Sequence, residues 1–106
     1  MNKYLRVRLT PEQRQEQILQ AAVKLANEGK LYNMSFVNIA DEANCKRPTI
    51  KHYFKSLIKL RAAVIQEAIS KEHYSIIAQA IAGHDDAIKD CPQSIKNAAL
   101  EWCKND

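Results

Sequence analysis

Ile18, Leu19, Ala22, Leu25 and Ala26 recur at steps of three and four residues, the spacing of one face of an α-helix. Thr10 precedes the run as an N-cap, and Pro11 takes the first helical position, where a missing N–H costs nothing. Gly29 ends it as a left-handed C-cap would, so the pattern predicts a first helix over about 11–28. Leu31, Tyr32 and Met34 form an apolar connection. Ser35 caps a second helix, whose buried side is Phe36, Ile39, Ala40 and Ala43. Asn44 tolerates positive φ better than most residues, which predicts a sharp turn there with Cys45 tucked beneath it. A third helix starts near Arg47 with Pro48 early in it. Its Ile50 and Phe54 lie four residues apart and face inward together.

Ser56 caps a fourth helix, predicted as one long element over about 57–82. Leu57, Leu60, Val64 and Ala68 make one apolar stripe, and Ile58, Ile65, Ile69, Ile76 and Ile77 extend it to a second side. That surface is wider than one core needs and predicts a further packing partner. A homodimer interface is therefore expected at Ile65, Ile69, Ile76, Ile77 and Trp102. Gly83 ends the long helix, and Asp85 or Asp86 starts a short helical turn through Lys89. Cys91-Pro92 restarts helix to about Lys104, with Ile95, Ala98, Ala99 and Trp102 on one side. With two glycines and three prolines the chain is too poor in turn residues for an all-β fold. The fold class is all-α, and the 106 residues suffice for one domain with a modest core.

Charge adds a direction to this picture. Residues 1–61 hold twelve Lys/Arg against five Asp/Glu, while residues 62–106 hold four against seven. A basic first half on an acidic second half predicts an anionic partner for the first half alone. Within it, Lys46, Arg47, Lys51 and Lys55 fall inside ten residues, with no acid between Asn44 and Arg61. Arg47, Lys51 and Lys55 share one helical stripe, where like charges repel unless something outside compensates; phosphate is the expected compensator. Two short helices across a tight turn, the second rich in base, match a helix-turn-helix that sets its second helix in a DNA major groove.

Other chemistries find little support. No apolar run approaches the roughly 20 residues of a membrane span, and Met1-Asn2-Lys3-Tyr4 leads into no apolar signal core. Three cysteines without tight spacing fit a reducing cytoplasm. The spacings of Cys91 to Cys103 and of His84 to Cys91 do not match a compact zinc template, and Cys45 and His73 add nothing to one. No metal or cofactor is expected. Asp85, Asp86 and Asp90 read as a solvated, helix-capping connection rather than an acid–base pair. Without a nucleophile, metal or cofactor motif, an enzyme is not expected.

The first 60 or so residues resemble the DNA-binding domain of TetR-family transcriptional regulators. The matching landmarks are Ile18-Leu19 and Ala22, Gly29, Ser35 with Ile39-Ala40, Lys46-Arg47-Pro48-Thr49-Ile50, Tyr53-Phe54 and Leu60. Asn44 departs from a usual Gly, Lys46 from a capping Ser or Thr, Lys51 from a frequent Tyr, and Leu57 from a frequent Lys. The resemblance implies a three-helix bundle with a helix-turn-helix over 1–56, followed by a dimerisation segment over 57–106 in the same compact unit. It implies base reading by Arg47, Pro48, Lys51 and His52: Arg47 to guanine O6 and N7, Lys51 to the same acceptors, Pro48 to a thymine methyl. Phosphate contacts are implied for Thr49, Tyr53 and Lys55, and for Ser35 and Lys46. The basic arm, Lys3, Arg6 and Arg8, is expected to follow the backbone or enter the minor groove. Full regulators of the family carry a larger helical domain with an effector pocket. The roughly 45 residues left here are too few to enclose ~300 Å³, so no small-molecule inducer is expected. The expected protein is thus a cytoplasmic homodimeric repressor on a palindromic operator. A small helical protein-interaction module, such as an antirepressor, is the second reading.

Overall fold

The computed structural model describes residues 9–105, apart from the side chain of Asn105; the arm residues Lys3, Arg6 and Arg8 lie outside the described residues. The chain is all-helical, with no strand among the described residues. Six α-helices follow one another: α1 (Pro11–Leu25), α2 (Phe36–Ala43), α3 (Arg47–Tyr53), α4 (Leu57–Lys71), α5 (Tyr74–Ala82) and α6 (Gln93–Asn105). Among the described residues no helix is long and apolar enough to cross a membrane.

The caps explain the starts. Thr10 Oγ1 accepts from the Gln13 N–H at 3.1 Å, and Gln13 Oε1 accepts from the Thr10 N–H at 3.0 Å. This reciprocal box satisfies two donors that a helix start leaves unpaired. Ser35 and Asn38 repeat the arrangement on α2, and Ser56 caps α4 through the Lys59 N–H. Asp85 caps a short 3₁₀ turn, Asp86–Ile88. α1 ends earlier than its apolar spacing suggests. It widens into a π-helical turn over Ala26–Lys30, inside which Gly29 takes φ 87°.

Three helices end alike, on a non-glycine residue. Asn44, Glu72 and His84 take φ of 57°, 56° and 51°. The N–H after each reaches back five residues: Cys45 to Ala40, His73 to Ala68, and Asp85 to Ala80. This closing bond satisfies a carbonyl that the last turn would leave free. The stop at Glu72 divides the predicted 57–82 helix into α4 and α5. Gly83, placed by sequence as the break, keeps negative φ; the positive φ falls one residue later on His84. Gly83 is small for another reason: a Cβ there would lie 2.6 Å from the Tyr32 hydroxyl. Glu72→Gly should raise the unfolding free energy by about 0.5–1 kcal/mol, because glycine removes left-handed strain at a smaller entropic cost. Denaturant unfolding checks this; a loss of stability would show that the Tyr74–Glu72 hydrogen bond outweighs the strain.

α1 packs against α2 and α4, α2 against α3, and α5 against α4, α6 and the π-helical turn. The buried residues form one cluster from Ile18 through Leu31, Ile39, Ile50, Leu60 and Val64 to Ile77 and Ala99. The surplus isoleucines are spent inside it. Ile65, Ile76 and Ile77 are fully buried within the chain, and Ile69 packs half-buried against the same core. These positions are therefore not an open face for a second copy. The break at Glu72 turns α5 back against α4, which covers them.

A polar bracket ties the connection after α1 to the later helices. Gln79 of α5 accepts from the Leu31 N–H at 3.0 Å and donates to the Ala26 carbonyl at 2.7 Å. Arg61 of α4 donates to the Leu31 carbonyl at 3.1 Å, and its guanidinium lies 5.0 Å from the centre of the Tyr32 ring. The Tyr32 hydroxyl donates to Asp85 at 3.0 Å. Burial, then this hydrogen bond and the Asp85 charge, push the Tyr32 phenol up to about 12. The folded state thus holds a proton that the unfolded chain releases near pH 10. Stability should fall between about pH 10 and 12, by of order 1 kcal/mol after discounting for a side chain 39% exposed. Comparing unfolding of wild type and Tyr32→Phe across that range isolates the slope; identical profiles would remove Tyr32 as its source.

Candidate nucleic-acid interface

The candidate surface is built by α2, its turn and α3. The Ser35–Asn38 box fixes where α2 begins. Asn44 supplies the left-handed turn, and the Cys45 N–H bonds back to Ala40. α3 starts at Arg47 with no side-chain cap, since Lys46 at its N-cap has no acceptor. Ile50 and Phe54 are buried and plant α3 on the core. The opposite surface is then committed to solvent: Lys46, Arg47, Pro48, Lys51, His52 and Lys55 are exposed, with Thr49 and Tyr53 half-buried on its flank. Lys59, in the first turn of α4, is exposed as well.

Four ion pairs occur among the described residues, at Lys24–Glu42, Lys30–Glu28, Lys71–Glu67 and Lys89–Asp86. None involves Lys46, Arg47, Lys51, Lys55 or Lys59. Arg14, Arg61, Lys96 and Lys104 are likewise outside any ion pair, but they are scattered, whereas these five are gathered within fourteen residues.

Local contacts separate the roles that the sequence ran together. The Ser35 hydroxyl donates its one proton to Asn38 Oδ1 at 2.9 Å. In this arrangement the hydroxyl proton is engaged within the capping box. Lys55 donates to the His52 carbonyl at 3.1 Å, where a cation suits the C-terminal end of α3. The Lys51 ammonium stands 5.8 Å from the centre of the Phe36 ring. The His52 and Tyr53 rings meet edge to face, with centroids 4.9 Å apart and planes at 86°. Trp102, placed by sequence in an interface, is 40% exposed on α6, and Leu100, about 200° round the same helix, is 43% exposed. Sequence reasoning set Ile58 in an apolar stripe, yet it is 74% exposed at the start of α4. Its place beside Lys59, in the first turn after a cap, was the available sign.

Away from α3, a polar groove of about 570 Å³ runs between the end of α1 and α2, lined by Leu25, Lys30, Asn33, Asn38, Asp41, Glu42 and Asn44. It lies open to solvent. Among the described residues no three His, Cys, Asp or Glu side chains gather where a metal ion could be held. Burial pushes the Cys45 and Cys91 thiols up, which disfavours their thiolates. Comparison of the chain with protein-family models, with curated proteins and with solved structures finds no match in any of the three.

Proposed function

We propose that the protein is a sequence-specific regulator that binds double-stranded DNA through α3, the second helix of a helix-turn-helix like that of TetR-family regulators. The observation that carries this reading is the surface of Lys46, Arg47, Lys51, Lys55 and Lys59, five exposed cations within fourteen residues, with no carboxylate between them in the chain and none of them in an ion pair among the described residues. Like charges held this close are tolerable when a polyanion completes them. A folded helix whose buried side is Ile50 and Phe54 presents the opposite side as a ridge that fits a major groove.

The regulator acts as a homodimer, each copy reading one half of an inverted repeat. With the isoleucines inside the core, the pairing surface is assigned to the flank of α6 that carries exposed Trp102. Its effect on transcription is steric: an occupied operator excludes polymerase or a competing regulator. No inducer is assigned, since the 570 Å³ groove is polar and open rather than enclosed.

Selection from a randomised duplex library at two salt concentrations tests the reading. Enrichment of an inverted repeat, weaker at higher salt, is the expected result. Salt-sensitive retention with no enriched sequence would reduce the protein to a nonspecific binder. Absence of retention would favour a protein-interaction module, for which exposed Leu100 and Trp102 are the supporting observation.

A further inference from the structure

We infer, resting on the DNA-binding reading, that base discrimination on α3 belongs to the ridge of Pro48 and His52 with Arg47 at its end. Lys51 is instead a phosphate-side positioning residue that Phe36 draws off the floor of the groove.

The geometry of α3 separates these residues. Side chains on a helix step round by about 100° per residue. Taking buried Ile50 as the inward direction, Pro48 and His52 lie about 160° and 200° round, directly away from the core. Lys51 lies about 100° round, on a flank. Its ammonium, 5.8 Å from the Phe36 ring, marks that flank as the one facing the first turn of α2. Thr49 lies about 100° round the other way, on the flank that faces away from Phe36. Arg47 shares the Lys51 flank but stands at the first helical position, where no preceding turn shields it. Its side chain tilts past the N-terminus of the helix, the end that meets base edges in this kind of docking.

The chemistry sorts the same way. An exposed cation–π contact favours the Phe36-bound position of Lys51 about two- to five-fold. A lysine ammonium gains little from leaving it for a base, because a compact charge lacks the fork that reads guanine and is satisfied by the nearer phosphate. His52 is held differently. Its ring is braced edge to face by Tyr53, so the imidazole is oriented before DNA arrives. An imidazole N–H aimed outward donates to the N7 acceptor of a purine. Lys55 holds the His52 carbonyl and steadies the same residue from its backbone.

Library selection and salt titration with wild type, Lys51→Ala and His52→Ala decide the matter. All substituted side chains are exposed, so each variant should fold. Lys51→Ala should keep the wild-type preference at every position, lose affinity about 3–10-fold, and lower the salt slope by about two per dimer. His52→Ala should lose preference at one base pair in each half-site while keeping the wild-type slope. Any preference lost in Lys51→Ala, or full preference kept in His52→Ala, overturns the division of roles while leaving DNA reading intact. A wild-type protein that enriches no sequence overturns both.

Discussion

Ile76→Ala lowers the unfolding free energy by about 2–5 kcal/mol, the usual range for emptying a fully buried isoleucine site. Ile76 has no exposed surface and sits in α5, between α4 and α6. Whole domains of this size are stable by only about 5–15 kcal/mol, so the variant should melt roughly 10–25 °C lower. The experiment separates two views of the isoleucines. Were Ile76 part of a face between copies, the loss would depend on protein concentration and vanish in dilute monomer. Thermal unfolding at several concentrations distinguishes them, and a concentration-dependent deficit would return Ile76 to an interface.

If the protein binds DNA as proposed, its affinity should fall about 10³-fold between 50 and 200 mM salt. On the proposed reading, exposed Lys46, Lys51 and Lys59 would each meet one phosphate per copy, six in a dimer. Each neutralised phosphate contributes about −0.9 to the slope of log affinity on log salt, giving about −5. Fluorescence anisotropy on a selected duplex measures it directly. A slope near zero would mean that these cations do not meet phosphate, and the uncompensated surface would lose its explanation.

The starts of the helices were legible in the sequence, and some of their ends were not. Thr10, Ser35, Ser56 and Asp85 announce caps because their short oxygens can take an N–H, and all four do so. Asn44 was readable as a turn for the same local reason. Glu72 was not, since glutamate has no preference for positive φ; His84 adjoins Gly83, which drew the prediction of the break one residue early. The inward Ile50 and Phe54 followed from spacing alone. The destination of Ile65, Ile76 and Ile77 did not, because apolar periodicity records that a side chain is buried without naming what covers it. The basic surface of α3 was visible as a run of residue types. The contacts that divide it, Lys51 on Phe36 and Ser35 on Asn38, depend on rotamers that no spacing encodes.

Gln79 also ties the first part of the chain to the last. The carbonyl of Ala26 waits for a donor 53 residues further along, and the N–H of Leu31 for an acceptor 48 residues further. A nascent chain that has emerged only through α3 therefore carries an open π-helical turn and an incomplete core. The bonds that close the turn after α1 are complete only when α5 is in place. Folding and unfolding should then proceed as a single cooperative event, and no half of this chain should hold its shape when cut from the other.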